Sequence, residues 1–383
     1  MMKYLKYNTP MNILHICNGA QSYPPFYKYL FKALKRYSME QSVIVPIKET
    51  PRIDYEDIHC EYFYRNSDII SRLNFNKKIK KLTQFTIEKL NVESFDVIHA
   101  HTWFSDGAVA YKLYKKYGIP YIVAIRNTDI NVFYRYFLHL RKLGYNILEN
   151  ASQIIFISPA YKNNFINLLP QKVISEISSK LSVIPNGAFP FWLDNKCQKT
   201  KFAFPVKILS MGGINSNKNY LSLCYAVELL RKKEINVELT IVGKGFNDAS
   251  NYLKKVEKYI SDKPYITLLE KQNQEELIKT YREHDIFALP SHKETFGLVY
   301  IEALTQGLPI IYTQGQGVDG YFDSCNVGYA VNSKNSNKIA QAILSTIDNY
   351  SELIANIQQL DFSIFDWEQI AERYLKIYQN CKQ

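Results

Sequence analysis

Short apolar runs recur along the chain, and amphipathic stretches with helical spacing follow most of them. Runs of this length are typical of strands in a parallel sheet, and the stretches between them are typical of crossover helices. The first half contains strand candidates at 12–17, 42–47, 97–101, 121–126, 154–158 and 181–185. The second half contains candidates at 206–211, 237–242, 265–269, 286–290, 309–312 and 328–331. Two such sets predict an α/β protein with two doubly wound parallel sheets.

The division between the two sets falls in an irregular segment rich in proline and polar residues. This segment covers residues 188–204 and directly follows IPNG at 184–187. A chain of 383 residues is also longer than one hydrophobic core usually supports. We therefore expect an N-terminal domain of residues 1–190 and a C-terminal domain that begins at residue 191, with a hinge near 188–204.

The excess of positive over negative charge is confined to the first half. Residues 1–190 carry 25 Lys and Arg against 14 Asp and Glu, so they hold the whole net charge of +11. Two clusters contribute: NKKIKK at 76–81, and one face of a predicted helix at 26–37 with Lys28, Lys32, Lys35 and Arg36. Such a face is also typical of a solvated helix, but the excess favours an anionic partner such as a membrane surface or a lipid phosphate. Aromatic residues do not interleave with these clusters as in nucleic-acid-binding modules, so we expect no nucleic-acid partner.

Other sequence features set the expected compartment. The apolar runs are strand-sized, far below the roughly 20 residues of a bilayer span, and the N-terminus lacks the apolar stretch of a signal peptide. The 6 cysteines form no CxxC pair, which fits a reducing compartment and argues against a zinc site. We expect a cytoplasmic protein that is peripheral on the inner face of the plasma membrane.

The most informative segment is residues 285–313, where a strand, a polar turn and a helix follow one another. Unpaired N–H groups and the helix dipole make a helix N-terminus suitable for a diphosphate. Gly297 removes a side chain where the backbone must approach such an anion. Glu294 precedes the helix, and Glu302 lies about 7.5 Å further along its axis than Gly297. The two carboxylates can therefore reach hydroxyl groups on both sides of a bound diphosphate.

The sequence ETFGLVYIE at 294–302 resembles the E-x7-E motif of glycosyltransferase family 4. Further matches follow in order: DVIHAH at 96–101, VIPNG at 183–187, ILSMGGINSNK at 208–218, LTIVGKG at 239–245, LLEKQNQEELIKTY at 268–281, and FDWEQIAERYLKIY at 365–378. The resemblance implies the GT-B fold, with two facing Rossmann-like domains. It also implies that residues 191–361 form the nucleotide-sugar domain and that residues 362–383 cross back to the acceptor-binding N-terminal domain.

The resemblance implies a donor site in the C-terminal half. Glu294 would bind hydroxyl groups of the donor sugar, Glu302 the ribose, and Lys218 the phosphates. The remaining donor-site residues are Gly212 and Gly213 in the phosphate loop, Gly243 and Lys244 in the second loop, Lys271 near the base, and the N–H groups of Phe296, Gly297 and Leu298. Family members usually have an arginine where this chain has Gly213, so Lys218 would act alone or with Lys244 or Arg126.

Three candidates for catalysis or acceptor binding lie in the N-terminal half. His101 closes a strand, at the edge where ligands of open α/β sheets bind. Arg126 and Asp129 follow the next strand at the same edge. Arg126 suits a lipid phosphate or the donor's β-phosphate, and Asp129 could orient an acceptor hydroxyl. The two residues could instead pair with each other, and His101 could be a structural histidine.

The resemblance implies retaining transfer of a sugar from a UDP- or GDP-linked donor to a hydroxyl of a glycan or lipid-linked acceptor, in exopolysaccharide, capsule or lipopolysaccharide synthesis. In this family the leaving diphosphate is usually taken to accept the acceptor's proton. The chain has no D-x-D pair to bridge a cation to the diphosphate, so we expect neither a metal nor a cofactor. The alternative is a catalytically weak subunit that binds nucleotide sugars within a glycosyltransferase complex.

Overall fold

The computed structural model describes residues 10–21, 24–51, 55, 57–64, 74–245 and 249–382. The chain separates into two units, of which the first comprises residues 1–157, 162–187 and 364–383. The second comprises residues 158–161 and 188–363. The chain passes from one unit to the other at 157/158, 161/162, 187/188 and 363/364. The divisions expected from the sequence were 190/191 and 361/362, and residues 158–161 were expected in the N-terminal domain.

The first unit contains a seven-stranded sheet in which every neighbouring pair is parallel. Its strands are β1 (Met11–Ile16), β2 (Met39–Ile47), β3 (His59–Tyr64), β4 (Val97–Ala100), β5 (Tyr121–Ala124), β6 (Gln153–Phe156) and β7 (Leu181–Val183). They are arranged in the order β3-β2-β1-β4-β5-β6-β7. The strand order reverses between β1 and β4, and open α/β sheets bind ligands at the carboxyl ends of the strands at such a point.

The second unit contains a six-stranded sheet, which is also parallel throughout. Its strands are β8 (Val206–Met211), β9 (Val237–Val242), β10 (Ile266–Leu269), β11 (Ile286–Ala288), β12 (Ile310–Thr313) and β13 (Gly328–Val331). The order β10-β9-β8-β11-β12-β13 reverses between β8 and β11. This is the strand order of a Rossmann fold.

Helices connect the strands in both units. In the first unit they span Pro24–Lys35, Phe75–Lys89, Ser105–Tyr117, Arg141–Asn150, Gln171–Ile177 and Trp367–Cys381. The helix Pro159–Ile166 begins in the second unit and continues in the first. In the second they span Pro190–Asp194, Tyr220–Arg231, Ala249–Ile260, Gln274–Glu283, Leu298–Thr305, Ser336–Asp348 and Tyr350–Gln358. Among the described residues, every helix is too short or too polar to pass through a bilayer.

The strand predictions agree with the structure except at one edge of the first sheet. Each predicted strand overlaps an observed one, but His59–Tyr64 was missed. This strand has the sequence HCEYFY, and none of its side chains is fully buried. Because its side chains are only partly buried, this strand lacks the continuous apolar run that marks a buried parallel strand.

The C-terminal helix Trp367–Cys381 belongs to the first unit, where it packs beside the helix Pro24–Lys35. The ring of Trp367 contacts the ring of Phe26, with centroids 4.9 Å apart. It also lies against Gly187, where an added Cβ would come within 2.3 Å of the indole ring. The C-terminal helix, which was expected to cross back to the N-terminal domain, thus contacts the first unit through Trp367. This contact requires glycine at position 187.

Candidate active site

The phosphate loop of the second unit begins at the carboxyl end of β8. Gly212 has a φ of +142°, in a region that L side chains rarely adopt. The carboxyl end of β9 presses against it, because a Cβ added at Gly243 would lie 2.0 Å from the Gly212 carbonyl oxygen. Ile214 N–H then donates to the Lys244 carbonyl at 3.1 Å, which joins the two loops. Glycine is thus required at 212 by the backbone conformation and at 243 by close backbone packing.

Lys218 and Glu294 form an ion pair in this unit. The distance from Lys218 Nζ to Glu294 Oε2 is 2.6 Å, and the side chains are 22% and 13% exposed. The two residues lie 76 positions apart in the sequence. The structure therefore brings together the two residues that the family resemblance assigns to the phosphates and to the donor sugar.

Asparagine side chains hold this pair in place. Asn217 Nδ2 donates to the Lys293 carbonyl at 2.9 Å, and Lys293 N–H donates back to Asn217 Oδ1 at 3.0 Å. Asn219 has a left-handed φ of 58°, and its Nδ2 donates to the carbonyls of Pro290 and Ser333. Sequence analysis missed these asparagines, although the repeated Asn at 215, 217 and 219 beside a predicted phosphate loop was a usable signal.

The N-cap of the helix Leu298–Thr305 is Gly297, which has a φ of +82°. A Cβ at this position would approach the Tyr300 ring to 2.5 Å, so the position requires glycine for two reasons. The first N–H groups of a helix have no acceptor within it, and they are suited to an anion. Gln316 Oε1 accepts from Glu294 N–H at 3.2 Å, which fixes the turn that precedes this helix. Phe296 is buried, whereas Leu298 is partly exposed.

Glu302 lies inside that helix, next to the hydroxyl group of Tyr281. Tyr281 OH lies 3.2 Å from Glu302 Oε2 and the same distance from the Val299 carbonyl oxygen. Burial raises the pKa of Glu302 to about 7, although the contact with Tyr281 acts in the opposite direction. Near neutral pH this carboxyl can therefore accept hydrogen bonds in its ionised form or donate one in its neutral form.

The other donor-site candidates, Gly213, Lys244 and Lys271, lie in loops of the same unit. Gly213 is partly exposed, and its carbonyl accepts from Asn215 Nδ2 at 3.1 Å. The side chains of Lys244 and Lys271 are exposed, in the loops that follow β9 and β10. Their roles toward phosphate and base remain predictions.

Three buried histidines lie at the strand-order reversal of the first unit. His15 on β1 is in register with His99 on β4, and His101 follows β4 directly. All three are fully buried. His15 Nδ1 lies 3.0 Å from His101 Nε2, and His99 Nδ1 lies 2.7 Å from Tyr378 OH on the C-terminal helix. Sequence analysis singled out only His101.

These imidazoles are neutral at physiological pH because burial disfavours their charged forms. Burial lowers the pKa of His15 to about 3 and lowers the pKa of His99 and of His101 well below the usual value. Within the described part of the chain, His99 Nε2 and His101 Nδ1 have no hydrogen-bond partner. The ligand atoms of the three rings lie within 4.8 Å of one another, and neutral imidazole nitrogen is a common metal donor. The expected absence of a metal stays a prediction.

The direct hydrogen bond between Arg126 and Asp129 is made by the Arg126 backbone N–H, and the charge of Arg126 also favours the ionised form of Asp129. The carboxylate of Asp129 accepts from the backbone N–H groups of Trp103, Phe104 and Arg126 at 2.9–3.1 Å. Asp129 is 1% exposed, and burial raises its pKa to about 6. The Arg126 guanidinium lies 3.4 Å from both the His101 carbonyl and Asn186 Oδ1. Asp129 thus organises the loops around His101 and Arg126, while its contact with an acceptor stays a prediction.

The basic face of the first helix is partly neutralised. Arg36 pairs with Glu368, and Lys35 Nζ lies 3.8 Å from Asp57 Oδ2. Lys28 and Lys32 are exposed. Two of the four charges that the sequence assigned to membrane attraction are therefore paired with acidic residues.

Comparison with known families and structures identifies both units. Residues 26–188 match the family model described as Glycosyltransferase Family 4, and residues 195–359 match the model described as Glycosyl transferases group 1. An uncharacterised glycosyltransferase of Methanocaldococcus jannaschii is 25% identical over 371 residues, which covers 92% of each chain.

Two solved structures share the architecture over nearly the whole chain. Sucrose-phosphate synthase from Thermosynechococcus elongatus superposes with a TM-score of 0.73 at 17% identity, over 97% of this chain and 98% of that one. HepE from Anabaena in complex with UDP superposes with a TM-score of 0.70 at 16% identity, over 97% and 100%. Each half of the chain matches a glycosyltransferase model and each unit has a Rossmann-like parallel sheet, so the protein belongs to glycosyltransferase family 4 and has the GT-B fold.

Proposed function

We propose that this glycosyltransferase transfers a sugar, with retention of configuration and without a metal ion, from a UDP- or GDP-linked donor to a hydroxyl of a glycan or lipid-linked acceptor. The observation that carries the proposal is the Lys218–Glu294 ion pair. The pair lies beside a helix whose N-cap is Gly297. In one donor molecule, the cation would bind the phosphates and the carboxylate would bind hydroxyl groups of the sugar. A UDP donor is favoured because HepE, a structural neighbour, was solved in complex with UDP.

The electrostatics of the second unit support this assignment. Both members of the pair are mostly buried, so their interactions with a ligand are screened less than those of surface charges. When the glycosidic bond to the diphosphate breaks, Lys218 would stabilise the charge on the leaving group and Glu294 would hold the sugar. The leaving diphosphate would accept the proton of the acceptor hydroxyl. The protein's contribution is then electrostatic preorganisation.

We place the enzyme at an anionic membrane surface, in the synthesis of exopolysaccharide, capsule or lipopolysaccharide. The support is the net charge of +11 in residues 1–190, which suits both anionic lipid and an acceptor with a lipid phosphate. The Arg126 guanidinium lies 3.4 Å from the backbone carbonyl of the predicted acceptor residue His101. It would contact an acceptor phosphate.

The test measures donor binding and donor hydrolysis separately. UDP-, GDP- and ADP-sugars are added to the wild-type protein and to Lys218→Ala, and thermal stability is recorded. A ligand at 100 times its Kd adds about 2.7 kcal/mol to the free energy of unfolding, and we expect one donor class to do so with wild type only. Slow donor hydrolysis without acceptor identifies an enzyme. Stabilisation without any turnover would instead identify the nucleotide-sugar-binding subunit.

A further inference from the structure

Exposed apolar side chains are concentrated in one place on the first unit. Of the eight large hydrophobic residues that are exposed in the described part of the chain, five lie here: Val132, Tyr136, Phe137, Leu138 and Leu168. We call these five residues the apolar patch. The most exposed are Tyr136 at 67% and Leu138 at 61%. Contiguous apolar surface on a folded chain usually marks an interaction site.

The segment that carries the patch is firmly attached to the fold beneath it. Its residues Ile130, Tyr134 and Leu140 are buried. Arg141 Nε donates to the Tyr134 carbonyl at 3.0 Å, and Tyr134 OH donates to the Leu168 carbonyl at 2.8 Å. The second of these hydrogen bonds joins Leu168 to the segment 129–140. The apolar side chains are therefore presented outward from an anchored backbone.

Basic residues lie in the segment that carries the patch and on a helix that contacts this segment. No acidic residue occurs from Ile130 to Leu148, whereas Arg135, Arg141 and Lys142 lie in that stretch. The ring of Phe133 contacts Phe75 with centroids 5.8 Å apart, which connects the segment to the helix Phe75–Lys89. That helix carries the exposed residues Lys77, Lys80 and Lys81. Apolar side chains and a cationic surround thus lie on neighbouring elements.

We propose that the apolar patch inserts into the interface of an anionic bilayer. Aromatic side chains favour the headgroup level of a membrane, and leucine favours the acyl boundary below it. The arginine and lysine residues nearby would meet lipid phosphates. A purely apolar protein partner would leave these charges unmatched, whereas an anionic bilayer complements both. The proposal rests on the membrane setting proposed above but not on the donor chemistry.

This surface differs from the basic helix face that the sequence pointed to. On the helix Pro24–Lys35 and just beyond it, Lys35 and Arg36 are paired with Asp57 and Glu368. That face offers only charge, so its attraction should vanish at high salt. The apolar patch adds burial of hydrocarbon, which salt does not screen. The two surfaces are therefore separable by experiment.

The experiment measures sedimentation of the full chain with vesicles of phosphatidylcholine alone and of phosphatidylcholine with 30 mol% phosphatidylglycerol, about the anionic content needed for electrostatic attraction. Tyr136→Ser/Leu138→Ser is compared with wild type and with Phe204→Ser, a matched control at a residue that is 61% exposed in the second unit. We expect the double variant to bind anionic vesicles at least about tenfold more weakly, a change of about 1.4 kcal/mol. Phe204→Ser should bind as wild type does.

Two further measurements locate the contact. Lys28→Gln/Lys32→Gln should reduce vesicle binding less than Tyr136→Ser/Leu138→Ser does. Brominated lipid should quench the fluorescence of the tryptophan introduced by Leu138→Trp but not that of the tryptophan introduced by Phe204→Trp. Wild-type binding by the double variant, equal loss in Phe204→Ser, or an unquenched Leu138→Trp would each overturn the proposal. The proposal would also be overturned if the wild-type chain formed a dimer and Tyr136→Ser/Leu138→Ser disrupted it, because the patch would then contact a second copy.

Donor hydrolysis separates this proposal from the proposed function. The double variant changes no donor-site residue, so it should hydrolyse the donor at the wild-type rate. A wild-type chain that hydrolyses the donor but ignores anionic vesicles overturns the membrane surface alone. A chain that binds vesicles through the patch but turns over no donor leaves the surface intact and overturns the catalytic function.

Discussion

The two units have the same sheet architecture but different polar groups where the strand order reverses. In the first unit, three fully buried histidines lie at this point, beside the carboxyl end of β4. In the second unit, the equivalent position between β8 and β11 leads into loops that carry the Lys218–Glu294 ion pair. Burial holds the imidazoles neutral, whereas the ion pair remains partly accessible to a ligand.

Because of this difference, the two units offer different polar groups to a ligand. A neutral, desolvated imidazole can accept or donate a hydrogen bond, but it adds little to the binding of a diphosphate. A lysine beside a glycine-started helix can bind an anion strongly. Under the proposed function, the second unit would bind the charged donor and the first a neutral hydroxyl, with Arg126, whose guanidinium lies 3.4 Å from the His101 carbonyl, available for an acceptor phosphate.

The largest expected effect breaks the ion pair of the second unit. Glu294→Gln keeps the size of the side chain but removes the charge that faces Lys218, so kcat should fall by about 100-fold or more, as for other preorganised electrostatic groups. Steady-state transfer or donor hydrolysis measures this change. The control is Glu228→Gln, which removes an ion pair with Lys232 on the helix Tyr220–Arg231. Similar kcat values for the two variants would contradict the role of Glu294.

A second change concerns the buried carboxyl of the same unit. The pKa of Glu302 is raised to about 7 from 4.5, so the folded state retains the proton longer than the unfolded state does. The stability that this proton provides is complete below pH 4.5 and is lost as the pH rises to 7. Relative to wild type, Glu302→Gln should gain about 2–3 kcal/mol between pH 4.5 and pH 8.

Urea unfolding of both proteins at the two pH values measures this difference. Glu283→Gln serves as the control because Glu283 is exposed at the end of the neighbouring helix. Donor affinity provides a second readout, since Glu302 is expected to contact the ribose. A stability difference between Glu302→Gln and wild type that is independent of pH would show that Glu302 is not held protonated in the fold.

The third change breaks the hydrogen bond to the histidines of the first unit. Tyr378→Phe leaves His99 Nδ1 without the hydroxyl that lies 2.7 Å away. An unsatisfied buried polar atom costs about 1–3 kcal/mol, so the free energy of unfolding in urea should fall by that amount. Tyr64→Phe is the matched control, because Tyr64 is 60% exposed in the same unit. If the two substitutions lowered the free energy of unfolding equally, the hydrogen bond between Tyr378 and His99 would not stabilise the first unit.

The smallest expected effect is that of a chelator. Helix N–H groups and Lys218 take the place of a bridging cation in the proposed chemistry, so turnover should be unchanged in EDTA. Activity that is lost in EDTA and restored by Mg²⁺ or Mn²⁺ would contradict this. Metal analysis of the purified chain and of His15→Ala would then show whether the histidine cluster or the donor site holds the ion.

The pattern of apolar residues was sufficient for most of the fold. Buried parallel strands are rich in apolar residues, so the strands at 206–211 and 237–242 were predicted with the observed bounds. The strand His59–Tyr64 was not found, because none of its side chains is fully buried and its sequence lacks an apolar run. The domain prediction was drawn from the two sets of strands and the irregular segment between them.

The donor-site candidates were found through an ordered set of motifs, but their contacts were not. ETFGLVYIE indicated Glu294 and Glu302, and the phosphate loop indicated Lys218. Nothing in the sequence showed that Lys218 and Glu294 would form an ion pair across 76 positions. Tyr281, which lies next to Glu302, entered the sequence analysis only as the last residue of the matched segment LLEKQNQEELIKTY.

The sequence by itself determined the two parallel sheets, the family and the positions of the residues expected to bind the donor, because periodicity and motif spacing are local properties of the chain. Only the tertiary structure decided which side chains meet. The ladder between β1 and β4 places His15 opposite His99, and folding of the loops around Asp129 turns its carboxylate toward backbone N–H groups. Such contacts depend on strand register and loop closure between distant segments, and these are set by the packing of the whole unit.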